Sequence, residues 1–318
     1  MIVTVTLNPA IDLTYTVPAI ELGQSHRVQN PAARAGGKGV NVARVLTGQG
    51  VAAMVIAPIG GATGAEFRAE LDSAGLHHRL VDAGPATRRT IALVTRTQTT
   101  NVNEAGSPLS QDEWEQVVTT ITTALQEASV LVISGSTPPH TPLDMLPRLI
   151  NAAAEREIPV VVDTSGEYLL AAAEAGPTVL KPNREELLTA LSRESSPSAG
   201  PLTGNPNLDH IADAARILAA RGGSTVFASL GGEGMLAVGP EGTVSYARLP
   251  RPLPGNPTGA GDAAVAAIAA DLAGDDFDRQ SSLVKATAWS ASAVLAPLAG
   301  TLTDPAPLLG AVRLRTNQ

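Results

Sequence analysis

The chain has 318 residues and carries 22 Lys and Arg against 30 Asp and Glu, a net charge of −8, with no cysteine. That length buries a large core and fits one large α/β domain with an appendage, or two domains. The acidic balance argues against nucleic acid as a bulk partner, and the missing thiols exclude disulfides, thiolate metal sites and Cys nucleophiles.

The opening Met1-Ile2-Val3-Thr4-Val5-Thr6-Leu7 reads as a β-strand over 2–7, with no basic leader and too little length for a signal sequence. No run approaches a membrane span, so a cytoplasmic protein without a membrane partner is the expectation. Residues 13–28 are rich in Thr and Val with near-period-2 patterning. They depart from the pattern that follows and read as strands leaving the main body. Next comes Gly36-Gly37-Lys38-Gly39-Val40-Asn41, a glycine cluster that opens a helix over 38–47. The first N–H groups of a helix have no partner inside it and receive oxyanions, and glycine lets the backbone approach a ligand closely.

A strand over 53–58 and a helix over 64–73 follow, then a second departing β segment over 79–100. With 13–28 it predicts a small sheet over the active site. Helices are expected over 110–127, 142–156, 168–174, 184–191 and 208–221, and strands over 130–134, 160–163, 178–181 and 225–229. Strict alternation of strand and helix means a largely parallel sheet covered on both faces. Ligands in such folds collect at the carboxyl ends of the strands, where Asn8, Ser136, Asp163 and Lys181 fall. The Ser-, Pro- and Gly-dense stretch 192–207 reads as a surface insertion, and the residues after the Ala-rich helices that end near 296 read as a loose tail.

The second glycine cluster, Thr258-Gly259-Ala260-Gly261-Asp262, adds a carboxylate beside its anion-binding turn. Such a group takes a proton from a nucleophile as charge develops. Familiar nucleotide signatures are absent. Lys38 is followed by Gly39, so there is no G-x-x-x-x-G-K-[ST], and Asn8-Pro9-Ala10 stands where a dinucleotide fold needs G-x-G-x-x-G. The five histidines have no zinc-binding spacing, and no serine sits in a G-x-S-x-G elbow.

Five ordered clusters carry a resemblance: Thr6 to Asp12 (T-L-N-P-A-I-D), Gly36 to Arg44, Ser134-Gly135-Ser136-x-Pro138-Pro139, Lys181-Pro182-Asn183-Arg184-Glu185-Glu186, and Thr258 to Asp262. In this order the chain resembles the ribokinase-like carbohydrate kinases of the phosphofructokinase B branch, over Met1 to about Ala299. The opening motif is typical of members acting on sugar phosphates, especially 1-phosphofructokinase and tagatose-6-phosphate kinase. The resemblance implies a single ribokinase-like α/β kinase domain over 1–318, with a largely parallel central sheet flanked by helices and a small β-sheet lid. It also implies ATP and Mg2+ as cofactors, a ketohexose phosphate as substrate with fructose 1-phosphate first, and a homodimer formed through the lid. Tagatose 6-phosphate and fructose 6-phosphate are the alternative acceptors, and a catalytically idle sugar-phosphate sensor is the rival of another class.

Site residues follow from the same resemblance. Asp262 is implied as the catalytic base, with Gly259, Ala260 and Gly261 as its anion hole. On the sugar, Asp12 meets hydroxyls with Gly36, Gly37, Asn41 and Ser136. Lys38, Arg27 and Arg88 are implied to neutralise the existing phosphate, with Asn103 touching it. For the nucleotide, the implied residues are Lys181, Asn183, Ser229, Gly231 and Gly234, with Glu186 organising Mg2+ through water. Asn183 read by itself is a helix cap. One departure stands out: His140 occupies the final Gly of the family's S-G-S-x-P-P-G.

Overall fold

A computed structural model describes residues 1–95, 98–192 and 206–317. The Ser/Pro/Gly-rich stretch 192–207 therefore lies almost wholly outside the described residues. The strands are β1 (Ile2–Val5), β2 (Ala10–Thr16), β3 (Ala32–Gly36), β4 (Ala53–Ile59), β5 (His77–Asp82), β6 (Arg88–Val94) and β7 (Thr99–Asn103). They continue as β8 (Val130–Ser134), β9 (Val160–Asp163), β10 (Val179–Leu180), β11 (Thr225–Ser229), β12 (Met235–Val238), β13 (Val244–Arg248) and β14 (Arg313–Asn317). The helices are α1 (Lys38–Gly48), α2 (Gly61–Ser73), α3 (Gln111–Ala124), α4 (Met145–Ala154), α5 (Glu167–Glu174), α6 (Arg184–Leu191), α7 (Pro206–Gly222), α8 (Ala260–Leu272), α9 (Arg279–Val294) and α10 (Ala306–Leu309).

Ten strands form the main sheet in the order β14-β13-β12-β11-β10-β9-β8-β1-β4-β5. From β5 to β11 every pairing is parallel, and β12, β13 and β14 are added antiparallel. Its central strands are apolar on both faces, as a sheet covered on both sides requires. Val3, Leu131 and Val162 face one core with α3, α4, α5 and α7, while Ile2, Val132 and Val161 face the other with α1, α2, α8 and α9. The alternation of facing side chains along each strand divides the core between two helical layers.

A second sheet, β3-β2-β6-β7, stands apart from the first. β2 pairs antiparallel with β3 and parallel with β6, and β6 pairs antiparallel with β7. Its composition corrects the expected lid boundaries. Residues 17–31 form no strand; Pro18, Gly23 and Pro31 interrupt them, and they are mostly exposed. Residues 79–82 belong instead to β5, whose six residues extend the main sheet beside β4. The period-2 pattern from Arg79 on reads as a strand, but an edge strand of either sheet shows the same pattern, and β5 begins two residues earlier at His77. The expected loose tail is likewise a strand, because β14 completes the antiparallel edge by pairing Val244 to Arg248 with Asn317 to Arg313.

Candidate active site

The carboxyl ends of β1, β8, β9, β10 and β11 open into one cleft of about 1110 Å³, roofed on one side by the small sheet. Position in the fold explains the clustering: each parallel strand hands the chain to a loop at the same sheet edge.

Asp262 lies in the first turn of α8 and is buried. The helix begins at Gly259, which adopts φ 86, and Ala260 and Gly261 follow it at the cleft wall. Burial pushes the Asp262 carboxyl up to about 6, with nearby Asp163 adding to the rise and Lys38 opposing it. Asn41, on α1, donates from Nδ2 to Asp262 Oδ2 at 2.8 Å, a bond that favours the ionised form.

Next to this pair sits a charge cluster. Lys38 Nζ lies 3.2 Å from Asp163 Oδ1 and 3.6 Å from Glu186 Oε1. Lys181 Nζ lies 3.5 Å from Asp163 Oδ2, and the side chains of Lys181 and Asp163 are only 3% and 1% exposed. Asp163 bears the desolvation cost of burial, yet Lys181 and Lys38 outweigh it and hold its carboxyl below the ordinary range. Lys38 is raised, chiefly by Asp163 against an opposing desolvation. Two cations and their shared carboxylate thus face Asp262 from across the cleft floor. Sequence reading puts Asp163 at a strand end and gives it no role. The signal was present in the sequence, since an Asp ending the fully apolar run Val160-Val161-Val162 is buried and needs a cationic partner.

The small sheet supplies a second group. Asp12 on β2 accepts from Thr90 Oγ1 at 2.5 Å and from the Gly37 backbone N–H; burial raises its pKa. Gly36 lies beneath it: an added Cβ would meet Asp12 Oδ2 at 1.9 Å, so only glycine leaves that carboxylate its place. Arg88 on β6 donates to Asn8 O from Nε at 3.2 Å and from Nη2 at 3.1 Å, and to Glu104 O from Nη1 at 2.9 Å. Asn8 in turn donates from Nδ2 to Ser136 Oγ at 3.3 Å and to Ala105 O at 3.0 Å, drawing the Ser136 loop toward the end of the small sheet. Asn103, at the end of β7, reaches the same cleft.

The three cations that the resemblance groups stand in different surroundings. Arg88 lines the small-sheet side, Lys38 stands among Asp163, Glu186 and Asp262, and Arg27 is exposed in 17–31, away from the residues lining the cleft. Contiguity with the glycine cluster places Lys38 at the first residue of α1, within electrostatic reach of Asp262 in the first turn of α8.

On the far side, Asn183 caps α6: its Oδ1 accepts from Glu186 N and its own N–H donates to Glu186 Oε2, both at 2.8 Å. Such a box stabilises the helix start by about 1 kcal/mol. It leaves Glu186 Oε1 toward Lys38. Ser229 ends β11, and Gly231 and Gly234 shape the turn after it at φ 59 and φ 110. A Cβ on Gly234 would lie 2.2 Å from Ala247 O, so the turn is pressed against β13. Leu249, Pro252, Leu253 and Val294 make an apolar wall beside it.

Over residues 5–305 the chain matches the family described as pfkB family carbohydrate kinase. A mutant of phosphofructokinase-2 from Escherichia coli is 30% identical, with 97% of this chain and 98% of that chain covered and a TM-score of 0.86. The same enzyme in complex with fructose-6-phosphate is 32% identical over 92% of this chain and 93% of that one, with a TM-score of 0.80. A protein described as a possible 1-phosphofructokinase from Thermotoga maritima shares the fold at 21% identity, covering 100% and 99%, with a TM-score of 0.83. The chain belongs to the pfkB family of carbohydrate kinases, and is a phosphotransferase with an alcohol acceptor.

Proposed function

We propose that this kinase transfers the γ-phosphoryl group of ATP to the free primary alcohol of a ketohexose monophosphate, forming fructose 1,6-bisphosphate from fructose 1-phosphate. The observation that carries the reading is the buried Asp262 carboxylate at the glycine turn, hydrogen-bonded to Asn41 and faced by Lys38 and Lys181. A carboxyl pushed up to about 6 is ionised near neutrality and basic enough to accept a hydroxyl proton in the transition state. The N–H groups of Gly259 and Gly261 are assigned to the phosphoryl charge that develops, while the Ala260 N–H donates to Pro257 O at 3.2 Å and shapes the turn. Lys38 and Lys181 add cationic stabilisation, and Asp163 keeps both in place. Positioning and charge neutralisation supply the rate in such transfers.

Asp12 is assigned to the sugar hydroxyls and Arg88, with Asn103 and Ser136, to the phosphate end of the acceptor. The turn with Ser229, Gly231 and Gly234 is assigned to the nucleotide, its base against the aliphatic wall of Leu249, Pro252 and Val294. Among the described residues, no group of three or more His, Asp and Glu is placed to hold a metal. Mg2+ carried on nucleotide phosphates keeps several waters and needs one or two carboxylates, and Glu186 lines the cleft. Glu186 would hold it through water; when bound, the ion neutralises phosphate charge.

The opening Thr6 to Asp12 motif favours fructose 1-phosphate. A second reading, fructose 6-phosphate, is favoured by the 32% identity to the enzyme bound to that sugar, and it yields the same product. The deciding experiment compares kcat/KM for fructose 1-phosphate, fructose 6-phosphate, tagatose 6-phosphate and fructose with ATP and Mg2+. Preference for unphosphorylated fructose would remove the phosphate-end assignments, and no turnover would return the chain to a sensor role.

We also assign a homodimer to the free edges of the small sheet, β3 and β7, since unpaired edges need covering and Val102 is exposed there. Sedimentation at working concentration showing only monomer would overturn this.

A further inference from the structure

We infer that Arg34 is a positioning residue for phosphoryl transfer, tying the lid strand opposite Asp12 to the carbonyl of Ala299 and, through Ala299, fixing the Gly259 turn. The inference rests on the reading above of Asp12 as sugar ligand and Asp262 as base.

Arg34 lies on β3 directly across from Asp12 on β2, so the two side chains share a face of the small sheet. That face looks onto residues 297–299 across a cavity of about 190 Å³. Arg34 spans the gap: its Nη1 donates to Ala299 O at 3.2 Å, and its Nε lies 4.0 Å from Glu70 Oε1. Here the small sheet is pinned to the body by a side chain rather than by the chain itself.

Beyond Ala299 there is no slack. A Cβ on Gly259 would stand 2.9 Å from Ala299 Cα and 3.0 Å from its Cβ, so the two backbones are already in contact. Gly259 is the residue before α8, and its turn sets the start of the helix that carries Asp262. On the other side of the same loop, a Cβ on Gly300 would meet Arg44 Cδ at 3.0 Å and Asn41 Oδ1 at 3.2 Å. Asn41 is the donor to Asp262. The loop is therefore wedged between the turn and the residue that orients the base.

Glu70 closes the circuit. Its Oε2 accepts from Ala35 N at 3.2 Å and pairs with Arg44, whose Nη2 also donates to Ala35 O at 3.2 Å. Arg34 thus acts inside a network of α1, α2, β3 and the 297–300 loop. A guanidinium holds a carbonyl and a carboxylate at fixed angles, which suits it to transmit the position of the lid strand to the turn. Misplacement of reacting groups by about 1 Å costs on the order of 100-fold in rate, so a small displacement of the turn is kinetically visible.

The test compares Arg34→Ala and Arg34→Lys in the intact protein, with the acceptor that wild type uses best. Arg34→Ala is expected to lower kcat at least tenfold and raise acceptor KM at least fivefold, with KM for ATP within twofold. Arg34→Lys should restore at least a third of kcat, because an ammonium can donate to the same carbonyl. Hydrogen exchange of the amides from Gly259 to Asp262, without substrates, should quicken at least fivefold in Arg34→Ala while α7 is unchanged. Wild-type kcat and acceptor KM in Arg34→Ala, or unchanged exchange at the turn, would overturn the inference. So would equal losses in both variants with a general fall in Tm. If wild type phosphorylates no sugar, the functional reading fails, and the exchange measurement still decides the link from Arg34 to the turn.

Discussion

Asn41 and Asp262 stand 221 positions apart in the chain and meet through a 2.8 Å hydrogen bond. One residue comes from the helix after β3, the other from the helix after the second glycine turn. The bond joins α1 to α8 across the cleft, and it stabilises the carboxylate rather than the acid.

The pH profile should report it. Burial raises Asp262 to about 6, so below that pH the carboxyl is protonated and cannot accept a proton. kcat/KM for the acceptor should fall about tenfold per unit on the acid side and level off above it. Asn41→Ala removes a bond that lowers the pKa, so the acid limb should move to higher pH. Ionisation of the substrate's own phosphate does not depend on the variant. A limb that stays in place in Asn41→Ala would assign it to the substrate, not to Asp262. Asp262→Asn should cut kcat by several orders of magnitude with KM for ATP nearly unchanged.

Asp163 offers a stability prediction. Its side chain is 1% exposed and faces both lysines. Asp163→Asn keeps the shape and removes the charge, leaving a buried Lys181 opposite a neutral amide. Breaking a buried pair on one side costs about 3–5 kcal/mol, measurable by urea unfolding at pH 7. The sign with pH follows from its depressed pKa. Asp163 contributes stability above its unfolded value of about 3.9, and loses it as pH falls through the folded value. The gap between wild type and Asp163→Asn should therefore narrow as pH drops below about 4, and a constant gap would contradict the ion-pair account.

What could be read from the chain depended on distance. The Gly36 and Gly259 turns, the Asn183 cap and the alternation of strand and helix are local features, and the residues expected there stand there. Features that need two distant segments to meet are not written in either segment alone. The resemblance groups Lys38 with Arg27 and Arg88, yet Lys38 faces Asp163, 125 positions on. β5 was legible as a strand but not as a neighbour of β4, and the polar sequence of Arg313–Asn317 hid an edge strand whose partner is β13. Pairing partners come from topology, and a period-2 pattern does not name them.

His140 marks the clearest departure from the family pattern, and it adopts φ 61, a left-handed conformation that favours glycine. A side chain there costs about 1 kcal/mol, whereas glycine costs roughly 0.5–1 kcal/mol through unfolded-state entropy. His140→Gly should thus stay within about 0.5 kcal/mol of wild type. His140→Val places a β-branched side chain in the same turn and should destabilise by about 1–2 kcal/mol. Equal unfolding midpoints for Val and Gly variants would show that the turn relaxes out of the left-handed region.

Gly36 and Gly259 should fail in different ways when given a methyl group. At Gly36 the new Cβ would fall 1.9 Å from Asp12 Oδ2, the free end of a side chain, and the backbone φ is not left-handed. Asp12 can swing aside, so Gly36→Ala should fold with Tm within a few degrees of wild type. Its acceptor KM should rise at least tenfold while KM for ATP holds, because only the sugar-facing carboxylate has moved. At Gly259 the Cβ would meet Ala299 backbone at 2.9 Å with φ at 86, and neither contact can be relieved by a rotamer change. Gly259→Ala should lose about 2 kcal/mol or more of stability, and its kcat should fall because the turn that begins α8 is displaced. Thermal unfolding and steady-state kinetics on the two variants separate these outcomes. A Gly36→Ala enzyme with unchanged acceptor KM would remove Asp12 from the sugar site, since no other group lies as close to that methyl.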